Sequence, residues 1–303
     1  MDYRVDVTFE PRYELLSSLH TMICRKSHKK IDLSPVWVKD TLSRITPDFS
    51  STLNDMDVDS DWKITYLLAY LCPEGASPEE FLAWLEEKTP GDLYELIAVY
   101  SQQFPKDMGQ YRSRTLFMLS NWHEQYFRKQ SPEVIEGLRS EAQTRAAELA
   151  RQTELSAFIE KTTNGLTFLP KEGLEKLVLV PQYHFQPMNI IYHFGRITLC
   201  HYSARFYLGD ETDFPPHDYR MIRALAEQSR LKILRFLSGG PRTFTEIVRH
   251  LQISKGITHD HVSKLRSGGF IRAHVDGETI SEYSLRPEML DVMHQKLVDY
   301  IVN

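Results

Sequence analysis

The chain has 303 residues, 42% hydrophobic, 11% aromatic and 25% charged, and at roughly 150 residues per domain this length predicts two domains, each with a core of its own. Ordinary globular composition excludes a disordered chain, a collagen-like repeat and a coiled-coil rod. No apolar run approaches the roughly 18 residues of a membrane span, and Met1-Asp2-Tyr3-Arg4 lacks the basic and apolar regions of a signal peptide, so a cytoplasmic protein without membrane contact is expected. Three widely spaced cysteines, Cys24, Cys72 and Cys200, read as buried thiols in a reducing compartment and offer no Cys-x-x-Cys pair for metal or redox chemistry.

Residues 4–9 alternate as a strand, with Val5, Val7 and Phe9 on one face, and Pro11 ends it. From Pro11 to about Ala150 the period is helical and about seven helices are expected. Four of their starts are marked by a capping residue before proline: Ser34-Pro35, Ser77-Pro78, Thr89-Pro90 and Ser131-Pro132. Between Asn164 and Tyr207 the pattern turns to strands (165–169, 174–180, 188–194 and 196–202), with Phe194-Gly195-Arg196 as a tight hairpin turn. The acidic, proline-rich run 209–216 marks the expected boundary, giving an N-terminal helical plus small-sheet domain over 1–210 and a second domain over 217–303. Net charge is −5, but residues 217–303 carry 13 basic against 10 acidic side chains while the rest carry 23 against 31. Such an asymmetry is expected when one domain meets a polyanion.

After His217 the order is helix, helix, short helix, polar helix, two strands and a last helix, which is that of a winged helix-turn-helix. Met221, Ile222, Leu225 and Ala226 face inward from the first helix, and Leu231, Ile233, Leu234, Phe236 and Leu237 belong to the second. Thr243 caps the third, with Glu246 completing a capping box, and Ser254 caps the fourth; both hydroxyls also count as candidate DNA contacts. That fourth helix, 255–267, has only a thin apolar stripe, read as Ile257, Val262 and Leu265. Its remaining surface of Lys255, Thr258, His259, Asp260, His261, Ser263, Lys264 and Arg266 suits a helix that reads base edges in the major groove of DNA. On this reading Thr258 and His259 touch bases while Lys264 and Arg266 touch phosphates. The following hairpin would be a wing, placing Arg272, His274 and Thr279 against phosphate or the minor groove. The expected fold class is mainly α with a small antiparallel sheet (α+β).

The stretches RALAEQSRLKILRFL, TEIVRHLQISKGITHDHVSKLRSGGFI and RAHVDGETISEYSL resemble the ArsR-type winged-helix transcriptional regulators. The resemblance covers residues 219–300 and is most specific at 226–234 and 265–271. It implies a homodimeric DNA-binding repressor, released from an inverted-repeat operator by a metal or another signal. The cysteine pair that soft-metal sensors carry on the third helix is missing from residues 245–251. Of the Asp and His pairs that zinc sensors carry on the last helix, only Asp291 and His294 are at hand.

The competing expectation is a winged-helix protein-interaction module without specific DNA binding. An enzyme reading would need a metal on the sheet between His184, His193 and His201, but no base or nucleophile accompanies them at a recognisable spacing. The aromatics Tyr183, Phe185, Tyr192, Phe194, Tyr202, Phe206 and Tyr207, with Trp62, Trp84 and Trp122, could line a pocket for a small-molecule effector or simply fill core. No phosphate-binding glycine loop and no Gly-x-Ser-x-Gly motif is present, and the expectation is a non-enzymatic protein with no cofactor and no metal.

Overall fold

The computed structural model describes residues 3–209 and 214–302. Its elements in chain order are β1 (Arg4–Val7), α1 (Pro11–Ile23), α2 (Ser34–Arg44), α3 (Pro47–Asn54), α4 (Ser60–Leu71), α5 (Pro78–Glu87), α6 (Pro90–Ala98), α7 (Met108–Gln125), α8 (Pro132–Leu149), α9 (Leu155–Thr162), β2 (Leu166–Phe168), β3 (Lys176–Gln182), β4 (Ile190–Phe194), β5 (Ile197–Ser203), α10 (Pro216–Leu225), α11 (Gln228–Leu237), α12 (Phe244–Leu251), α13 (Lys255–Ser267), β6 (Ile271–Asp276), β7 (Thr279–Leu285) and α14 (Glu288–Val302). The class is α+β. Two compact units form, a helical unit of residues 2–150 and 173–206 and a C-terminal unit built mainly from 151–172 and 207–303. The chain therefore enters the C-terminal unit early, leaves it for the three strands β3, β4 and β5, and returns. Residues 151–172, expected with the first domain, group with the last. Part of the expected boundary run, residues 210–213, lies outside the described residues.

In the helical unit three of the four expected proline-led caps form, whereas Ser34 is itself the first residue of α2, at φ +63°, behind Leu33, which makes no side-chain cap. Ser77 and Thr89 close capping boxes with Glu80 and Asp92, and Ser131 accepts from the Glu133 amide. Helix α1 is buried along almost its whole length, so its polar side chains must all be satisfied within the protein. Arg12 satisfies itself by giving Nε, Nη1 and Nη2 to the carbonyls of Ala69, Ala76 and Cys72. It thereby caps the end of α4, where helical carbonyls lack partners.

The sheet of this unit has the order β1-β3-β5-β4. β1 and β3 pair in parallel, as do β3 and β5, and only β4 is antiparallel, joined to β5 by the expected turn at Gly195. An antiparallel sheet was expected, but β1 and β3 are separated by nine helices, a crossover that permits parallel pairing. Both central strands are buried almost throughout, as strands covered on two faces must be. The three sheet histidines go to separate places. His184 Nδ1 meets Glu14 at 2.5 Å, His193 Nδ1 meets Thr198 Oγ1 at 2.9 Å, and His201 lies beside Ser17. Among the described residues no group of metal-ligating side chains forms. Trp122, Phe194 and Tyr202 are fully buried core.

In the C-terminal unit, β2 adds to the free edge of β6 in parallel, giving a three-stranded sheet of order β2-β6-β7. The join is specific. Gly165 takes φ +101°, and a Cβ there would stand 2.9 Å from the Ile271 carbonyl; Asn164 Nδ2 donates to Ser267 O. Glu160, on α9, receives Arg272 Nε at 2.7 Å and Arg286 Nε at 2.8 Å, and both guanidinium groups hold its carboxyl below the usual range against the opposing effect of burial. Arg230, buried on α11, gives Nε to Ala224 O and Nη2 to Arg223 O, closing the end of α10. Gly268 lets α13 approach α10, since a Cβ there would meet Ala224 Cβ at 2.9 Å.

Two predictions follow from these interiors. Removing Glu160 as Glu160→Ala leaves two arginines facing each other around a half-buried site and should cost the C-terminal unit about 2 kcal/mol or more; an unfolding midpoint within error of the parent would contradict the role given to it. In the helical unit, burial lowers His20 and His201 each to about 3. A histidine in the unfolded chain titrates near about 6.5, so the stability held by these neutral rings is whole above that pH and is lost as pH falls from there towards 3. Thermal unfolding should drop across that window and drop less steeply in His201→Gln; identical pH profiles for the two proteins would contradict it.

Candidate nucleic-acid interface

Helix α13 starts where Ser254 Oγ accepts the Ile257 amide at 3.3 Å, and the capping box between Thr243 and Glu246 starts α12. Thr243 Oγ1 accepts from the Glu246 amide and donates to its carboxylate. Both caps form as expected, and both hydroxyls are thereby engaged in holding helix starts.

The inward face of α13 differs from expectation in one exchange. Thr258 is fully buried with Val262 and Leu265, and its Oγ1 donates to Ser254 O at 3.0 Å. Ile257, expected inside, is 53% exposed. Thr258 can enter because its hydroxyl finds a carbonyl one turn back, which removes most of the penalty of burying it. At 100° per residue, Gly256, Asp260 and Ser263 then form the outward stripe, flanked by Ile257 and Lys264 on one side and His259 and Arg266 on the other. Lys255, Gly256, Ile257, His259 and Lys264 are exposed, and a Cβ on Gly256 would meet open space. Lys264 Nζ pairs with Asp260 at 2.6 Å along the helix. His259 lies edge-on to Phe244, ring centroids 6.2 Å apart. His261 turns the other way, its Nδ1 lying 3.6 Å from the Glu227 carboxylate that caps α11.

The wing hairpin forms with its turn at Gly277, but the side chains expected to reach DNA from it are occupied. Arg272 is bound to Glu160, Glu288 and the Leu285 carbonyl. His274 has Nδ1 against Thr167 Oγ1 at 2.8 Å and Nε2 against Ser284 Oγ at 2.9 Å, and burial lowers its pKa. Thr279 is exposed at the turn and donates to Asp276 O. The turn itself is acidic, with exposed Asp276, paired to Lys171, and exposed Glu278.

Of the twelve residues expected at the interface, Lys255, His259, Ser263, Lys264 and Arg266 share the outer surface of α13. Thr258, His261, Arg272 and His274 are structural, as are the capping hydroxyls of Thr243 and Ser254, and Thr279 stands alone at the wing tip. Asp260 stands on the outer surface as expected, and Gly256 and Ile257 join it, Ile257 against expectation. An isoleucine at helical spacing from Leu265 gives no local sign that it points outward; only the competing hydroxyl at 258 does.

These features define a winged helix-turn-helix with an added strand. Residues 227–273, from the α11 cap into β6, match the family described as bacterial regulatory protein, arsR family, and form an ArsR-type helix-turn-helix domain. A protein named as a probable mercury resistance operon repressor, from Streptomyces lividans, is 35% identical over 79 residues, covering 26% of this chain and 63% of that protein. The chain thus spans less than two thirds of that relative's length. A crystal structure described as a possible transcriptional regulatory protein (fragment 1-100) from Mycobacterium bovis shares 25% identity, covering 27% of this chain and 89% of that one, at a TM-score of 0.23.

The buried position of Thr258 yields a prediction. Thr258→Val keeps the shape and removes one hydrogen bond, so it should cost about 1 kcal/mol of stability and leave any base preference unchanged. A change in preferred sequence with stability intact would place its hydroxyl in the groove instead.

Proposed function

We propose that the protein is a sequence-specific DNA-binding transcriptional regulator, a repressor, acting in the cytoplasm as a homodimer. Its helical unit senses a signal or supports assembly. The observation that carries this reading is the division of α13: three side chains seat it, and a stripe of Gly256, Asp260 and Ser263 flanked by Ile257, His259 and Lys264 faces outward. Such a surface supplies donors and an acceptor for base edges and, in Ile257, an apolar contact for a thymine methyl group. Lys255, Lys264 and Arg266 supply charge for phosphates.

Homodimerisation is supported by α14. None of its residues is buried, and Leu290, Val298, Tyr300 and Ile301 are among its exposed apolar side chains. A second copy packed on this face would bury them, with Lys296 holding the helix to Asp218 of α10 at 2.7 Å. Two-fold symmetry makes the operator an inverted repeat with half-sites about 34 Å, one helical turn, apart or a small multiple of that.

The acidic wing tip favours a second reading, a protein-docking module with no specific DNA. The two separate in one experiment. Fragments of genomic DNA retained by the purified protein at near-physiological salt are sequenced, and affinities for a recovered and a random duplex are followed against salt. The proposal expects an enriched inverted repeat and affinity that falls steeply with salt. It also expects Lys264→Ala to weaken both duplexes alike, whereas His259→Ala weakens the recovered duplex by about tenfold and the random one little. Equal, salt-independent affinity for both duplexes would overturn it in favour of docking.

A further inference from the structure

The helical unit contains a line of buried polar groups that its core does not require. Glu14 is fully buried on α1 and receives the amides of Tyr183 and His184. Its Oε1 lies 2.5 Å from His184 Nδ1, His184 Nε2 lies 2.8 Å from the Tyr126 hydroxyl, and Trp37 Nε1 lies 2.7 Å from that same hydroxyl. For a carboxylate facing a neutral imidazole, one assignment satisfies every bond. The carboxylate can only accept and the indole can only donate, so His184 carries its proton on Nδ1 and Tyr126 donates to Nε2 while accepting from Trp37. Placing a carboxylate in the interior is costly unless it is fully bonded, and this one is used to fix two aromatic rings at the far end of the line.

Those two rings form a wall of a cleft of about 640 Å³ between the second half of α2 and the end of α7 with the turn that follows it. Trp37 and Tyr126 meet edge to face, centroids 5.8 Å apart, and Tyr126 is stacked from behind on buried Trp122 at 4.4 Å. Arg44 and Lys129, both exposed, also line the cleft, against one carboxylate, Asp40. No ion pair engages either cation among the described residues, although other exposed arginines of this unit, Arg25 and Arg128, are paired. Both sit at the ends of helical turns, where positive charge is favourable. That accounts for their sign but not for the held aromatic wall between them. The volume is that of a small-molecule site.

We propose that this cleft binds a small planar organic anion, an aromatic carboxylate, with its ring against Trp37 and Tyr126 and its carboxylate between Arg44 and Lys129. A planar ring gains from contact with the fixed aromatic pair, and a carboxylate gains charge-assisted hydrogen bonds from guanidinium and ammonium groups. The inference gives the sensing role of the helical unit a place and a ligand class. It rests on the regulator reading only for that consequence, because binding is measured without DNA.

The test uses the full chain with benzoate and 1-naphthoate as probes, benzamide and 1-naphthamide as neutral controls, and inorganic phosphate as a ringless anion. Binding is followed by calorimetry and by tryptophan fluorescence, with Trp37→Phe identifying the reporting indole. The expected result is saturable binding of 1-naphthoate below about 1 mM, weaker binding of benzoate, and a loss of about tenfold or more in Arg44→Gln/Lys129→Gln. The double substitution should also abolish the preference for carboxylate over amide. No saturable binding of either carboxylate, equal binding of the amides, phosphate binding as tightly as 1-naphthoate, or an unaffected double variant would each overturn the proposal.

Discussion

The pairing of Glu160 with Arg272 and Arg286 determines what the C-terminal unit can offer to a partner. One carboxylate on a short helix holds two guanidinium groups from β6 and the end of β7. This fastens a strand from residues 166–168 to the edge of β6. A bare edge would otherwise present unpaired amides and carbonyls. Covering it closes the sheet on that side, and the same contacts withdraw Arg272 and His274 from the wing's outer surface. The wing is left acidic at its turn, and exposed cations, Lys255 and Lys264, stand instead on α13.

The helical unit uses buried charge in a comparable way at greater depth. Arg12 ends α4 by taking three carbonyls, and Glu14, two residues along, organises His184, Tyr126 and Trp37. Both lie on α1, which is buried along almost its whole length and therefore can have no unsatisfied polar side chain without a large penalty. In each unit, then, a carboxyl group held away from solvent fixes a feature at the surface: α9 and the wing in one, an aromatic cleft in the other.

What could be read from the residues alone was what short-range chemistry decides. The caps at Ser77, Thr89 and Ser254, the capping box at Thr243, the hairpin at Gly195 and the wing turn at Gly277 each depend on neighbours within a few residues, and each forms as its sequence implies. The order of elements after His217 was legible for the same reason. The parallel pairing of β1 with β3 and of β2 with β6 was not, because it is set between segments more than a hundred residues apart and leaves no local mark. Arg272 and His274 look like exposed cationic and donor groups until Glu160 and Thr167 are brought beside them. Ile257 and Thr258 exchanged faces because a threonine hydroxyl can be satisfied by the preceding turn of its own helix, so hydrophobicity alone assigns the wrong residue to the core.

On the proposed reading α13 meets the base edges while the wing's structural side chains stand apart from them. Photo-crosslinking tests it most directly, with a photoreactive residue placed at Ile257 in one protein and at Arg272 in another, each bound to the recovered duplex. Crosslinks are expected from position 257 to bases in both halves of an inverted repeat, and none to bases from position 272. Base crosslinks from 272 with silence at 257 would contradict it and would make the wing, not α13, the reading element.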